Sequence, residues 1–86
     1  MSDFSTEGLK EIIIPKLYED MDKAILIEWY GAEGDEVESG QDLFSIETEK
    51  SVFDIEAEDD GVLRRILVEG RSNVYAQQVV GYLEPD

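Results

Sequence analysis

The chain has 86 residues, 42% of them apolar, with a formal net charge of −15 and neither cysteine nor histidine. This length allows one small domain, and the missing residue types exclude disulfides, thiolate metal sites and the commonest general base. Such acidity disfavours binding to nucleic acid or to anionic membranes. We expect a soluble domain, since no apolar run approaches the ~20 residues that span a bilayer and no signal segment opens the chain.

The N-terminal quarter of the chain predicts a tail, an edge strand and an acidic loop. Residues 1–10 are polar and aperiodic, so we expect a flexible tail, with the folded domain at 11–86. Glu11–Pro15 is rich in β-branched residues and ends at proline, which favours a strand at a sheet edge. Leu17–Lys23 is predicted to be an acidic loop. Its carboxylates do not fit a calcium-binding loop, and no metal site is expected.

The longest strand is predicted over Ala24–Tyr30. Its alternation places Ile25, Ile27 and Trp29 on one face, and we expect Trp29 to lie in the core. Apolar residues such as Leu26 on the opposite face suggest that the strand passes from one sheet into another.

Short strands and turns account for the rest of the chain. Gly34 lies in a predicted turn and is free to adopt a positive φ. The other strands are expected at Val37, Asp42–Glu47, Val52–Ala57, Val62–Val68, Val74 and Val79–Glu84. No segment has a sustained helical period. Eight short strands at this spacing predict an all-β sandwich or barrel.

The chain also matches itself at a constant offset of 37 residues, which indicates one domain built from two intertwined halves. The matched pairs are Ile25 and Val62, Leu26 and Leu63, Trp29 and Ile66, Val37 and Val74, Gln41 and Gln78, Leu43 and Val80, Ile46 and Leu83, and Glu47 and Glu84. Lys50 lies within two residues of the midpoint of 11–86, at a predicted turn between two strands. None of the other three lysines has such a position, and a reactive amine there is typical of a carrier domain.

The residues around this lysine resemble the biotinyl/lipoyl-attachment domains. Glu47-Thr48-Glu49-Lys50-Ser51 is similar to the lipoyl-lysine turn of that family. Further matching motifs are Ile14-Pro15, Glu28-Trp29, Glu33-Gly34-Asp35-x-Val37, Gly40-Gln41, Ile55-x-Ala57, Gly61-Val62 and Tyr82-Leu83-Glu84. The resemblance covers roughly residues 11–84. It implies a flattened barrel, or sandwich hybrid, of two four-stranded antiparallel sheets with quasi-twofold symmetry, and the lysine turn at one end.

The resemblance also implies a function, that of a lipoyl carrier domain at 11–86 without catalytic activity of its own. Lipoate would be attached covalently to Lys50, with Glu49 and Ser51 flanking it for recognition. The lipoyl-lysine swinging arm would undergo reductive acylation, acyl transfer to coenzyme A and dithiol reoxidation in a 2-oxo acid dehydrogenase complex. The implied partners are a lipoate ligase or lipoyl/octanoyl transferase, a thiamine-dependent 2-oxo acid decarboxylase, an acyltransferase catalytic domain and dihydrolipoyl dehydrogenase.

In the same family the loop after the first strand helps partner enzymes to recognise their domain. The matching candidates for partner contact here are Tyr18, Glu19, Asp20 and Met21. A location in the cytoplasm is expected for such a domain, or in the mitochondrial matrix if the chain is a processed eukaryotic one.

Two alternatives remain within the same fold. Biotin carriers have methionine on both sides of the lysine, where this chain has Glu49 and Ser51, and this difference favours lipoate. An unmodified assembly domain would not need the lysine turn. The chain departs from the family pattern at Arg71 and Gln77, where the second half would repeat Gly34 and Gly40, and at Ala24, which replaces a common glycine. These departures concern turn geometry and partner identity.

Overall fold

A computed structural model describes residues 5–86. Eight β-strands make up its regular structure: β1 Lys10–Ile13, β2 Lys23–Trp29, β3 Glu36–Val37, β4 Asp42–Glu47, β5 Val52–Glu56, β6 Gly61–Ile66, β7 Ser72–Tyr75 and β8 Val79–Pro85. The part of the chain described contains no helix long and apolar enough to cross a membrane.

Two four-stranded antiparallel sheets face each other, with strand orders β1-β8-β6-β3 and β5-β4-β2-β7. Adding 37 to the residue numbers of β2, β3 and β4 gives approximately the ranges of β6, β7 and β8. When each strand is replaced by its equivalent in the other half, the strand order of one sheet becomes that of the other. This confirms the all-β fold with quasi-twofold symmetry. The core lies between the sheets, where Phe44, Ile14, Leu26, Ile46, Leu63, Val74 and Val80 are fully buried.

Hydrogen bonds between the halves follow the same symmetry. The amide of Gly34 donates to the carbonyl of Leu63 at 2.7 Å, and that of Arg71 donates to the carbonyl of Leu26 at 2.6 Å. Gly34 has the predicted positive φ, of 96°, and Arg71 adopts a φ of 66° at the equivalent position. The departure of Arg71 from glycine therefore leaves the turn conformation unchanged.

The predicted faces of the long strand are wrong over its first half. Ala24 and Leu26 point into the core and Ile25 is exposed. The register between β2 and β4 shifts between Leu26 and Glu28, and this β-bulge reverses the alternation. Trp29 therefore does pack inward, against Phe44, as expected. Apolar residues occur on both faces because of the bulge. Strand β2 pairs with β7 over its first four residues and with β4 up to Trp29, all in one sheet, so the expectation that it passes into the other sheet is wrong.

The start of the domain also differs slightly from the prediction. Strand β1 begins at Lys10, one residue earlier than expected, and the Lys10 amine pairs with Asp59. Lys10 therefore belongs to the sheet and not to the tail. The predicted tail lies partly outside the described residues, and its flexibility stays a prediction.

Candidate functional site

Lys50 lies at the tip of the hairpin that joins β4 to β5. Glu47 and Val52 form the last pair of that ladder, and the amide of Thr48 donates to the carbonyl of Ser51 at 2.8 Å. Glu49 and Lys50 are then the two central residues of the turn. The Lys50 side chain is 55% exposed, in keeping with the predicted exposed turn.

The hydroxyl of Thr48 stabilises this turn. It accepts hydrogen bonds from the amides of Lys50 and Ser51, at 3.1 and 3.2 Å, and lies 3.2 Å from the carbonyl of Ser51, to which it can donate. Thr48 is itself buried, while its neighbours Glu49 and Ser51 are exposed. Hydroxyl groups that bond to the backbone two and three residues onward define a recurrent kind of turn, so the sequence contained a signal for this role. The positioning of Lys50 therefore depends on Thr48.

The loop between β1 and β2 lies against the amine of Lys50. Lys50 Nζ is 3.9 Å from Asp20 Oδ1 and 4.8 Å from the centroid of the Tyr18 ring. Both contacts are partly exposed, and each contributes at most about 1 kcal/mol. The loop is therefore next to the lysine turn, and two of the four candidate partner residues touch Lys50 directly.

The other two candidates separate into one exposed and one buried residue. Glu19 is exposed, whereas Met21 is only 4% exposed and belongs to the hydrophobic core. The amide of Leu17 lies 3.3 Å from the sulfur of Met21, which fixes the loop from within. Met21 therefore lies in the core beneath the loop, and not at the surface where a partner would dock. Partner contact of the other three candidates stays a prediction. An apolar side chain in an otherwise acidic loop anchors that loop to the core.

The arrangement is suited to presentation and not to catalysis. Lys50 is an exposed primary amine at a hairpin tip, 3.9 Å from the Asp20 carboxylate, and the exposed residues Glu47 and Glu49 belong to the same hairpin. Among residues 5–86, no group of three or more potential ligands is arranged to hold a metal ion. What the site offers chemically is an accessible primary amine at the tip of a hairpin.

Comparison with known proteins agrees with this geometry. The sequence model of the Biotin_lipoyl family, described as "Biotin-requiring enzyme", matches residues 10–83. The chain is 36% identical over 74 residues to the dihydrolipoyllysine-residue acetyltransferase component of the pyruvate dehydrogenase complex of Zymomonas mobilis, covering 85% of this chain and 17% of that protein. It is 32% identical over 73 residues to the dihydrolipoyllysine-residue succinyltransferase component of the 2-oxoglutarate dehydrogenase complex of Bacillus subtilis, covering 85% and 18%.

Among solved structures, the lipoyl domain of the 2-oxoglutarate dehydrogenase complex of Azotobacter vinelandii superposes with a TM-score of 0.70 at 27% identity, over 85% of this chain and 92% of that domain. The chain thus spans less than a fifth of the length of the two acyltransferase components, but nearly all of this separate domain. The chain therefore belongs to the biotinyl/lipoyl-attachment family, and it is a non-catalytic carrier domain of the lipoyl type.

Proposed function

We propose that Lys50 carries lipoate through an amide bond and that the domain presents this arm to the enzymes of a 2-oxo acid dehydrogenase complex. The observation that carries the proposal is the position of Lys50, half exposed at the tip of a hairpin whose turn is fixed by Thr48. A rigid hairpin holds the amine at a defined point, where a modifying enzyme can approach it without unfolding the domain.

The residues around Lys50 fit lipoate better than biotin. The flanking side chains are Glu49 and Ser51, and neither is the methionine that the biotin carriers of the family have. Attachment through an amide removes the charge of the amine and takes the formal net charge from −15 to −16. Lipoate attached there supplies a strained cyclic disulfide that is open to nucleophilic attack.

The protein contributes presentation. Attachment at an exposed turn keeps the reactive end of the arm at a high local concentration near any enzyme that docks at this end of the domain. Tyr18 and Asp20 border the lysine turn, and Glu19 lies between them in the chain, so we expect an enzyme that takes up the arm to meet these side chains as well. The similarity to acetyltransferase and succinyltransferase components supports a thiamine-dependent decarboxylase, an acyltransferase domain and dihydrolipoyl dehydrogenase as partners.

Intact mass and peptide mapping test the proposal. After incubation with lipoate ligase, lipoate and ATP, we expect the mass of one lipoyl group and an adduct on Lys50 alone. Lys50→Arg should remain unmodified, whereas Lys23→Arg, a control with a lysine removed close to the same site, should be modified like the wild type. A parallel incubation with biotin ligase and biotin should leave the protein unmodified. An adduct on another lysine, or efficient biotinylation of Lys50, would contradict the assignment.

A further inference from the structure

A pocket of about 410 Å³ opens directly beside the lysine hairpin. Its floor is the outer face of the sheet that bears Lys50, where Glu47, Ile25 and Asn73 lie side by side on β4, β2 and β7. Tyr18 and Asp20 contribute one wall from the loop between β1 and β2. This volume lies within the range of about 300–1,000 Å³ that is typical of small-molecule sites.

The amine of Lys50 already faces the wall of this pocket. Its two contacts, Asp20 Oδ1 at 3.9 Å and the Tyr18 ring at 4.8 Å, are both made with residues that line the pocket. A group attached to the amine is therefore anchored beside a wall of the pocket, and its attachment to Lys50 gives it a high effective concentration there.

The pocket floor offers an apolar surface that the fold itself leaves uncovered. Ile25 is 42% exposed, because the bulge in β2 turns it outward at the point where its neighbours face the core. Covering such a side chain is favourable by roughly 25 cal/mol for each Å² of apolar area removed from water. The ring of Tyr18 adds an aromatic surface, which favours contact with sulfur.

Attachment of the arm also changes the contacts of the lysine itself. An amide carries no charge, so the ion pair with Asp20 and the cation–π contact with Tyr18 are both lost. The amide N–H can still donate to the Asp20 carboxylate, while the methylene groups of the arm can cover the Tyr18 ring. The wall that holds the charged amine can therefore hold the uncharged arm as well.

We propose that this pocket is a resting site for the ring end of the lipoyl arm, with Ile25 beneath the ring and Tyr18 beside it. The proposal rests on lipoylation of Lys50, the function proposed above. The ligand class is an uncharged, sulfur-containing apolar ring on a flexible tether. Such a site shelters the disulfide between visits to partner enzymes. Docking in the pocket lowers the fraction of the arm that is free to visit them.

Amide chemical shifts of three forms of the domain test this proposal. The forms are the unmodified protein, the protein lipoylated on Lys50 as verified by mass, and Lys50→Gln, which removes the charge without adding an arm. Loss of the charge should shift Tyr18 and Asp20 in both altered forms. Only the lipoylated form should shift Ile25 and Asn73, and it should show nuclear Overhauser contacts between ring protons and the Ile25 methyl groups.

Two lysine substitutions provide a matched comparison in the lipoylated protein. Ile25→Lys places a charge on the pocket floor and should abolish the lipoyl-dependent shift at Asn73, a readout that does not require the Ile25 methyl groups. Leu67→Lys changes a residue that is similarly exposed, at 48%, but does not line the pocket, and should leave the shift at Asn73 and the ring contacts with Ile25 unchanged.

The outcomes separate this proposal from the function on which it rests. If the fully lipoylated domain gives the same shifts as Lys50→Gln and no contact with Ile25, the resting site is wrong while the carrier function stands. If lipoate ligase leaves Lys50 unmodified, both are wrong.

Discussion

Gln41 and Gln78, 37 residues apart, make the same three hydrogen bonds in the two halves of the domain. Each amide donates to the carbonyl three residues earlier, at 2.9 and 3.0 Å, and each side-chain Oε1 accepts from the amide of that same earlier residue, at 3.0 and 2.9 Å. Each carbonyl accepts from an amide just beyond an edge strand, Ala57 for Gln41 and Ile14 for Gln78. The glutamine retained in both halves therefore closes equivalent turns.

The position of the lysine within the hairpin should matter more than the composition around it. The double variant Glu49→Lys with Lys50→Glu keeps the same residues and charge but moves the amine by one position, so its direction from the turn changes. We expect the variant to stay folded and to lose most of its lipoylation, measured by intact mass after incubation with lipoate ligase. Full modification would mean that the ligase recognises the residue types in the turn and not the position of the lysine.

Removing the hydroxyl of Thr48 should loosen the lysine turn. Thr48→Ala loses the acceptor for the amides of Lys50 and Ser51, and we expect a decrease of about 1–2 kcal/mol in the free energy of unfolding. The initial rate of lipoylation should fall as well, because the amine is held less rigidly. Thr48→Ser, which keeps the hydroxyl, is the control. Urea denaturation and timed mass measurements check both effects, and equal behaviour of the two variants would argue against a role for the hydroxyl.

The loop beside Lys50 should govern the reaction with a partner and leave modification nearly intact. Glu19→Gln with Asp20→Asn keeps the side-chain shapes and removes two exposed charges. Charged groups at the rim of an interface act mainly on the rate of encounter, and salt screens them. We expect slower reductive acylation at low ionic strength, by a 2-oxo acid decarboxylase that accepts the wild-type domain, and a smaller difference at high salt.

Lipoylation of the same loop variant should proceed at the wild-type rate. If the rate of reductive acylation were unchanged at every salt concentration, the charges of the loop would have no role in the reaction with the partner, and the loop would be only a solvated turn.

Glycine should be preferred at position 77. Gln77 has a φ of 72°, and Gly40, its equivalent 37 residues earlier, has a φ of 89°. The left-handed conformation costs a residue with a Cβ about 1–2 kcal/mol, and glycine does not have this penalty. Glycine also makes the unfolded chain more flexible, which offsets about 0.5–1 kcal/mol of the gain. Gln77→Gly should therefore raise the free energy of unfolding by up to about 1.5 kcal/mol.

The reverse change at the equivalent turn tests the same cost. A Cβ at Gly40 would meet no atom within 4 Å, so Gly40→Ala isolates the backbone effect. It should lower the free energy of unfolding by about 1 kcal/mol. A loss of stability in Gln77→Gly, measured by urea denaturation, would show instead that the glutamine side chain contributes more than its backbone conformation costs.

The sequence by itself determined the eight strands, the quasi-twofold repeat and the hairpin that presents Lys50. These features depend on local signals, since alternation of apolar residues, β-branched composition and turn residues act within a few positions of one another. The 37-residue match added the relation between the halves, because equivalent positions in a symmetric sheet pair must satisfy the same packing and hydrogen bonding.

Only the tertiary structure decided which face of β2 points inward and what surrounds the lysine. The bulge between Leu26 and Glu28 is set by the pairing of β2 with β4, and it exposes Ile25 while burying Leu26. The contact of Tyr18 with Lys50 likewise joins segments about 30 residues apart, and Met21 is buried in a core to which both sheets contribute. Such relations depend on how segments distant in the sequence pair and pack against each other. A short stretch of neighbouring residues carries no information about this packing.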